Sequence, residues 1–185
     1  EPLIPMRMSA PYALTLMGHD GAMPRLFVCA WPPADVVDLL EQLPRPAADG
    51  VHWVAPETWH ITLRFIGDAD LDDVVERLGR AVLPAATLTL GPAVDLLSDR
   101  HLVVPVTGAD TLALAVRSAT AGIGERDPHR FRGHLTLARA DRGAADRLTD
   151  APITAQFEVR AIALVASDLQ PSRPVYSTVA EFDTA

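Results

Sequence analysis

Residues 59–66 read WHITLRFI, and residues 133–137 read GHLTL. A four-residue pattern, His-x-Thr-Leu, therefore occurs twice, at 60–63 and at 134–137. In a chain of this composition, roughly 0.05 matches to the pattern are expected by chance. The repetition of so rare a pattern indicates two related structural units within one chain.

Both copies lie in sequence typical of β-strands, in which successive side chains point to opposite faces. His60 and Thr62 are therefore expected on one face of a strand, and His134 and Thr136 on one face of another, each pair backed by apolar residues. A threonine is branched at Cβ and has few rotamers, so its hydroxyl is held at a defined position. Two such strands facing one another would surround a small anion with two imidazoles and two hydroxyls.

This set of side chains suits the opening of a phosphodiester, above all a strained cyclic one. One imidazole can act as general base on water or a 2′-hydroxyl, while the other, protonated, acts as general acid on the leaving oxygen. The hydroxyls can hold the non-bridging phosphate oxygens, and the scheme needs no metal. The structural alternative is two unrelated, half-buried histidines, and the matched pattern disfavours it.

The composition excludes several classes of function. The chain has 185 residues, 49% of them hydrophobic and 22% charged, which predicts a globular domain with a core. All 16 basic residues are arginines against 24 acids, so a net charge of −8 limits nucleic-acid contact to an end or a single nucleotide. The absence of lysine excludes a lysine-adenylate ligase and a standard P-loop. Cys29, the single cysteine, can form no internal disulfide, which is compatible with the cytoplasm.

The remaining sequence predicts an α+β fold with adjacent antiparallel strands and no membrane span. One domain is predicted over 23–185, with Met23 as its predicted natural start. Residues 1–22 are predicted to be disordered or an artificial extension. The helices are predicted at 35–43, after a cap at Asp70, after a cap at Asp110, and briefly at 144–149. The strands are predicted at 25–31, 51–54, 59–66, 87–90, 94–97, 101–106, 131–139, 153–165 and 175–182.

With their flanks at 53–67 and 130–139, the two motifs resemble those of the two-histidine phosphoesterases. Within that superfamily they are most similar to the RNA 2′,3′-cyclic phosphodiesterases, also called 2′-5′ RNA ligase-like proteins. The resemblance covers about residues 24–183. It implies a bilobal fold of two antiparallel-rich sheets related by a pseudo-twofold axis, with outer helices and a central cleft. Gly133 departs from the family, where proline is usual, and is expected to loosen the loop before His134.

The resemblance implies hydrolysis of RNA 2′,3′-cyclic phosphate ends to 2′-phosphomonoesters, without metal or cofactor. Reversible 2′-5′ ligation of RNA ends is a further activity that it implies. It assigns His60 as the proton donor to the leaving 3′-oxygen and His134 as the proton acceptor that acts as base on water. Thr62 and Thr136 are implied to bind the phosphate.

The resemblance also implies that Phe65 and Arg139 hold the nucleotide. Each lies five positions after a motif histidine, so strand alternation puts both on the face opposite the histidines. Their place in the site therefore requires a twist or a bulge. From the residues alone, Arg132 shares the parity of its motif histidine and is a candidate phosphate clamp, and Arg64 is a weaker candidate on the same argument.

The sequence is compatible with three functions: an RNA-end cyclic phosphodiesterase, a phosphodiesterase for small cyclic nucleotides or ADP-ribose cyclic phosphate, and a non-catalytic nucleotide-binding module. The expected partners are RNA ends or small cyclic-phosphate nucleotides. A monomer is expected, with no membrane or obligatory protein partner. Phe27 and Trp31 can stack on a base, although a core position is favoured. His101 and His129 are predicted to lie on the surface.

Overall fold

The fold is taken from a computed structural model that describes residues 6–7, 25–126, 130–169 and 174–185. Every strand pair in it is antiparallel, and three α-helices occur within these residues. The helices are α1 Ala34–Glu41, α2 Leu71–Gly79 and α3 Asp110–Ala119, with 3₁₀ turns at Pro56–Thr58 and Asp146–Leu148. The strands are β1 Met6–Arg7, β2 Arg25–Ala30, β3 Val51–Trp53, β4 Ile61–Asp68, β5 Ala86–Leu90, β6 Asp95–Leu97, β7 His101–Thr107, β8 His134–Ala140, β9 Ala155–Val159, β10 Ala161–Leu169 and β11 Pro174–Asp183.

The sheet has two halves that meet at the motif strands. Its order is β1-β11-β10-β2-β4-β8-β7-β5-β9, with β3 paired to β8 and β6 paired to β7. In the described part of the chain, β4 and β8 share one register pair, Ile61 with Leu135. The predicted α+β class and the antiparallel-rich, two-part sheet are confirmed.

Each half contains the same unit of strand, helix and motif strand. In the first half the unit is β2, α1 and β4, with β2 paired to β4. In the second half it is β7, α3 and β8, with β7 paired to β8. Helix α3 packs on β4 and helix α1 packs on β9, so each helix crosses to the opposite half. This exchange fixes the two motif strands relative to one another.

The helix starts test the predicted caps. Asp70 caps α2, because its carboxylate accepts a hydrogen bond from the backbone N–H of Asp73 at 3.0 Å. The predicted cap at Asp110 is wrong, since the helix begins one residue earlier than expected and Ala109 occupies the cap position without a side-chain hydrogen bond. Asp110 instead lies in the first turn, where a carboxylate is favoured by the helix dipole.

The long strand predicted at 153–165 is wrong, because the chain breaks at Arg160 into β9 and β10. β9 pairs with β5 in the second half, whereas β10 pairs with β2 and β11 in the first. Strand-forming residues flank Arg160 on both sides, so no local signal marks the change of partner. The strand predicted at 131–139 begins only at β8, and the helix predicted at 144–149 is the 3₁₀ turn Asp146–Leu148.

The predicted extension at 1–22 falls largely outside the described residues. Within it, Met6 and Arg7 pair with Phe182 and Glu181 at the end of β11. The division into an extension and one domain over 23–185 stays a prediction. No helix among the described residues is long and apolar enough to cross a membrane.

The buried residues form two clusters, a large one that extends through both halves and a small one on the other face of the first half. The large core contains the apolar residues of both motifs and the inner faces of the helices. A small second cluster consists of Phe27, Cys29, Ala163 and Val165, with Trp31 and Tyr176 packed against it. Because this small cluster comes from β2 and β10, it supplies an apolar floor beside the first motif.

Candidate active site

The two motifs meet at the junction of the sheet halves. Ile61 and Leu135 are fully buried register partners. Continuing that antiparallel register by one residue each way sets each motif histidine level with the threonine of the other motif. The four polar side chains line one cleft of about 470 Å³: His60, Thr62, His134 and Thr136.

Both motif histidines are held through Nδ1 in the same way. Nδ1 of His60 lies 2.6 Å from the carbonyl oxygen of Thr58, and Nδ1 of His134 lies 2.7 Å from that of Arg132. Because a carbonyl can only accept, Nδ1 carries the hydrogen in each ring. The neutral rings therefore present an unprotonated Nε2 as the nitrogen free for acid–base chemistry.

Each motif strand has a bulge at the leucine that ends the motif. Leu63 is skipped in the register of β4 with β2, and Leu137 is skipped in the register of β8 with β7. A bulge adds one residue to one strand, so the faces exchange beyond it. Phe65 and Arg139 consequently line the cleft beside the histidines. The irregularity that their predicted placement required is thus present in both strands.

The same bulge removes Arg64 from the cleft, so its prediction as a phosphate candidate is wrong. Its side chain is 8% exposed, and the guanidinium donates to the hydroxyl of Thr120 and to the carbonyls of Ile123 at 2.7 Å and Arg117 at 3.3 Å. These acceptors lie at and after the end of α3. Arg64 therefore holds the helix of the second half against the first motif strand.

Arg132 and Gly133 act at the start of β8 through their backbones. The side chain of Arg132 is exposed and is not among the residues that line the cleft, whereas its carbonyl holds His134. The carbonyl of Gly133 accepts a hydrogen bond from the N–H of Val106 at 2.9 Å. A Cβ on Gly133 would lie 2.4 Å from the oxygen of Val106. The glycine therefore permits this close packing, and the expected loosening of the loop stays a prediction.

His60 lies among aromatic rings. Its ring centroid is 4.9 Å from that of Phe27, 5.5 Å from that of Tyr176 and 5.6 Å from that of Trp31. Burial lowers the pKa of His60 because the charged imidazolium loses hydration, and the field of His134 lowers it further, against the hydrogen bond to the backbone of Thr58.

Phe27 is 4% exposed, as favoured in the sequence reading, and it forms the floor under His60. Tyr176 was missed by the sequence reading. It comes from the last strand, and no local pattern links it to the motif.

His101 is the second functional candidate that sequence reasoning missed. It was predicted to lie on the surface, but it lines the cleft and is the register partner of Arg139. Burial lowers the pKa of His101, as do the charges of Arg139, His134 and Arg100, while a hydrogen bond to the backbone of Leu97 opposes the shift. His129 lies outside the described residues. Only the pairing of β7 with β8 reveals the position of His101.

The cleft is basic although the protein is acidic. Its lining carries arginine and histidine but, among the described residues, no aspartate or glutamate, in a chain of net charge −8. Arg25 covers Phe65, with its guanidinium carbon 4.9 Å from the ring centroid, and pairs with Glu125 at 3.2 Å. Such segregation of charge favours an anionic ligand.

Comparisons with known proteins agree with this geometry. The family model described as LigT-like phosphoesterase matches residues 31–91, which include the first motif. The chain is 31% identical over 150 residues to the RNA 2′,3′-cyclic phosphodiesterase of Aquifex aeolicus (strain VF5), and the match covers 70% of this chain and 80% of that protein.

Two solved structures are similar over nearly their whole length. E. coli LigT complexed with 3′-AMP has a TM-score of 0.70 and 26% identity, covering 88% of this chain and 98% of that one. A protein of Thermus thermophilus has a TM-score of 0.71 and 28% identity, covering 86% of this chain and 97% of that one. Both similarities extend across the two halves of the sheet.

Proposed function

Because this chain belongs to the LigT-like phosphoesterases, we propose that it hydrolyses RNA 2′,3′-cyclic phosphate ends to 2′-phosphomonoesters in the cytoplasm, without a metal. One observation carries the proposal. Two histidines, each fixed by Nδ1 to a backbone carbonyl, present Nε2 in a cleft whose described lining has no carboxylate. A phosphodiester anion fits such a cleft, and paired imidazoles supply both proton transfers.

The proposed reaction is a single displacement at phosphorus. Nε2 of His134 takes a proton from water, and the water oxygen forms a new bond to phosphorus. The bond from phosphorus to the 3′-oxygen breaks, and Nε2 of His60 gives its proton to that oxygen. The products are a 2′-phosphomonoester and a 3′-hydroxyl, with one proton moved onto His134 and one lost from His60.

This division of roles requires a protonated His60 when substrate is bound. In the free protein, burial lowers the pKa of His60 and so favours its neutral form. A phosphodiester anion beside the ring favours the imidazolium and raises that pKa again. Substrate binding is therefore accompanied by protonation of His60. In the bound complex, the hydroxyls of Thr62 and Thr136 hold the non-bridging phosphate oxygens.

The nucleotide is proposed to lie between Phe65 and Arg139, with a base against the ring and an anion near the guanidinium. Solved structures of E. coli LigT carry 3′-AMP and NADP⁺, which supports a nucleotide ligand here. Small cyclic nucleotides and ADP-ribose cyclic phosphate are the second candidate substrates, because the cleft of about 470 Å³ is of small-molecule size. Reversible 2′-5′ ligation stays a proposal on the same site.

Product analysis tests the proposal. A short RNA ending in a 2′,3′-cyclic phosphate is incubated with the protein in EDTA, and the product is identified by ³¹P NMR. A 2′-phosphate end is expected. A 3′-phosphate end would reverse the leaving group and the histidine roles, and loss of activity in EDTA that added metal restores would contradict the metal-free scheme. Binding without turnover would favour a nucleotide-binding module.

The role of the two threonine hydroxyls is tested in the same assay. Thr62→Val and Thr136→Val keep the branched shape while removing one hydroxyl each. Loss of a hydrogen bond to a charged group costs about 1.5–3 kcal/mol, so kcat/KM is expected to fall roughly 10- to 100-fold in each variant. Unchanged kcat/KM in both would exclude the hydroxyls from phosphate binding.

A further inference from the structure

Three side chains with basic nitrogens lie in one row at the second-motif end of the cleft. Arg139 on β8 is the register partner of His101 on β7 and, on its other side, of His52 on β3. Directly opposed residues of antiparallel strands share a face. His101 and Arg139 line the cleft, and His52 is exposed at the outer end of the row. At about 4.8 Å between strands, the row spans roughly 10 Å.

The row lies beside the reaction centre rather than within it. Thr136 is the register partner of Val103, and His101 is two residues further along β7. Two residues of an extended strand cover about 7 Å. Consecutive phosphate groups of a nucleotide chain are separated by a distance of the same order. A second phosphate of the substrate can therefore reach the row while the first occupies the motifs.

A tight hairpin adds a neutral donor to the row. The turn between β6 and β7 holds Ser98 and Asp99 at φ values of 56° and 55°, a left-handed conformation that residues with a side chain rarely adopt. Ser98 lines the cleft together with Leu97 and His101. Consecutive left-handed residues are the usual geometry of a tight β-hairpin, so the pairing of β6 with β7 fixes the position of Ser98 at the cleft.

We propose that His101, Ser98 and Arg139 form a second phosphate subsite for the phosphate on the 5′-oxygen of the ribose that carries the cyclic phosphate. The inference rests on the proposed function and specifies its substrate class. Arginine supplies a fixed charge with several donors, the serine supplies a hydroxyl, and His101 donates from its ring and gains charge beside an anion. An RNA chain and ADP-ribose cyclic phosphate both carry such a 5′-phosphate, whereas a cyclic mononucleotide does not.

The test compares kcat/KM for adenosine 2′,3′-cyclic phosphate with kcat/KM for its 5′-phosphorylated form. The protein is expected to prefer the 5′-phosphorylated form about tenfold or more, as one charge-assisted hydrogen bond would give. His101→Ala should lower this ratio several-fold, with Arg139 and Ser98 retaining the remainder, and His101→Gln, which keeps a donor, should lower it less. Arg100→Ala is the matched control, because Arg100 is exposed in the same hairpin and does not line the cleft, so the ratio should persist.

Two further substrates separate the sources of the 5′-phosphate: a diadenosine dinucleotide with a cyclic end and ADP-ribose cyclic phosphate. A His101-dependent preference for either one supports the subsite and identifies its natural ligand. Equal losses on all substrates in His101→Ala, an equal effect of Arg100→Ala, or no preference in the unmodified protein would overturn it. If no substrate turns over, the proposed function fails, and the same ratio is measured as Kd by calorimetry, where equal Kd values overturn the subsite.

Discussion

The two motif strands are alike in their backbone and different in their surroundings. Each fixes its histidine through Nδ1 to the carbonyl two residues earlier, and each bulges at the leucine that ends the motif. His60, however, lies among the rings of Phe27, Trp31 and Tyr176, whereas His134 opens toward Arg139 and His101. The repeat gives the two histidines the same backbone support, whereas the unrepeated neighbours bury His60 and lower its pKa.

The same contrast continues beyond the bulges. The cleft-facing residue is Phe65 in the first strand and Arg139 in the second, so one end of the cleft offers a ring and the other a cation. On the buried side of the first motif strand, Arg64 donates hydrogen bonds to the end of α3. The corresponding residue of the second motif strand, Ala138, is apolar and fully buried. Two strands with the same backbone therefore place different side chains at the two ends of the cleft.

The largest expected effect comes from removing either histidine. His60→Ala and His134→Ala should each lower kcat by about 10²–10⁴, as loss of general acid or base catalysis does. Because the pair acts as a unit, the double variant should lose far less than the product of the two. Steady-state kinetics, with circular dichroism to verify folding, measures this. A single variant with unchanged kcat would break the equivalence of the two strands.

A smaller effect is expected on the pH dependence of kcat/KM when the aromatic surroundings of His60 are changed. Burial lowers the pKa of His60, so His60 should titrate below its ordinary value of 6.5 in NMR spectra of the free protein. Trp31→Ala admits water to the ring and should raise that pKa. If His60 is the acid, the alkaline limb of kcat/KM, where His60 loses its proton, moves to higher pH in the variant.

The same experiment gives a different result if His60 is the general base. If His60 is the base, kcat/KM falls as pH decreases through its pKa, so Trp31→Ala moves the acid limb to higher pH. Trp31→Phe, which keeps a ring in place, should leave both limbs close to their original positions. No shift of either limb, with the NMR pKa raised, would show that His60 does not govern the rate.

The smallest effect on activity is expected from the arginine on the buried side. Arg64→Met removes the hydrogen bonds to the end of α3 and should lower the free energy of unfolding by about 1.5–3 kcal/mol. Turnover per folded molecule should stay near that of the unmodified protein, because Arg64 does not line the cleft. Urea denaturation and kinetics measure the two quantities. A loss of kcat without a loss of stability would contradict this structural role and indicate that Arg64 acts in the site.

Much of the site was predictable because its signal is local. The alternation of side chains along a strand placed His60 with Thr62 and His134 with Thr136, and the structure brings all four to one cleft. Side-chain alternation did not predict the faces of the residues beyond the motifs, because it assumes strand pairing without a bulge. The bulges at Leu63 and Leu137 depend on the partner strands, and no residue type in either motif announces them.

The sequence by itself determined the strand-borne motifs, the antiparallel α+β class and the pairing of imidazole with hydroxyl, since these follow from side-chain periodicity and residue chemistry. Only the tertiary structure decided that His101 joins the cleft, that Arg64 leaves it, and that the segment around Arg160 divides between the two halves. The physical reason is that register and partner choice are properties of two strands together. A single strand's sequence carries information about its own faces and little about the residues that will lie beside it.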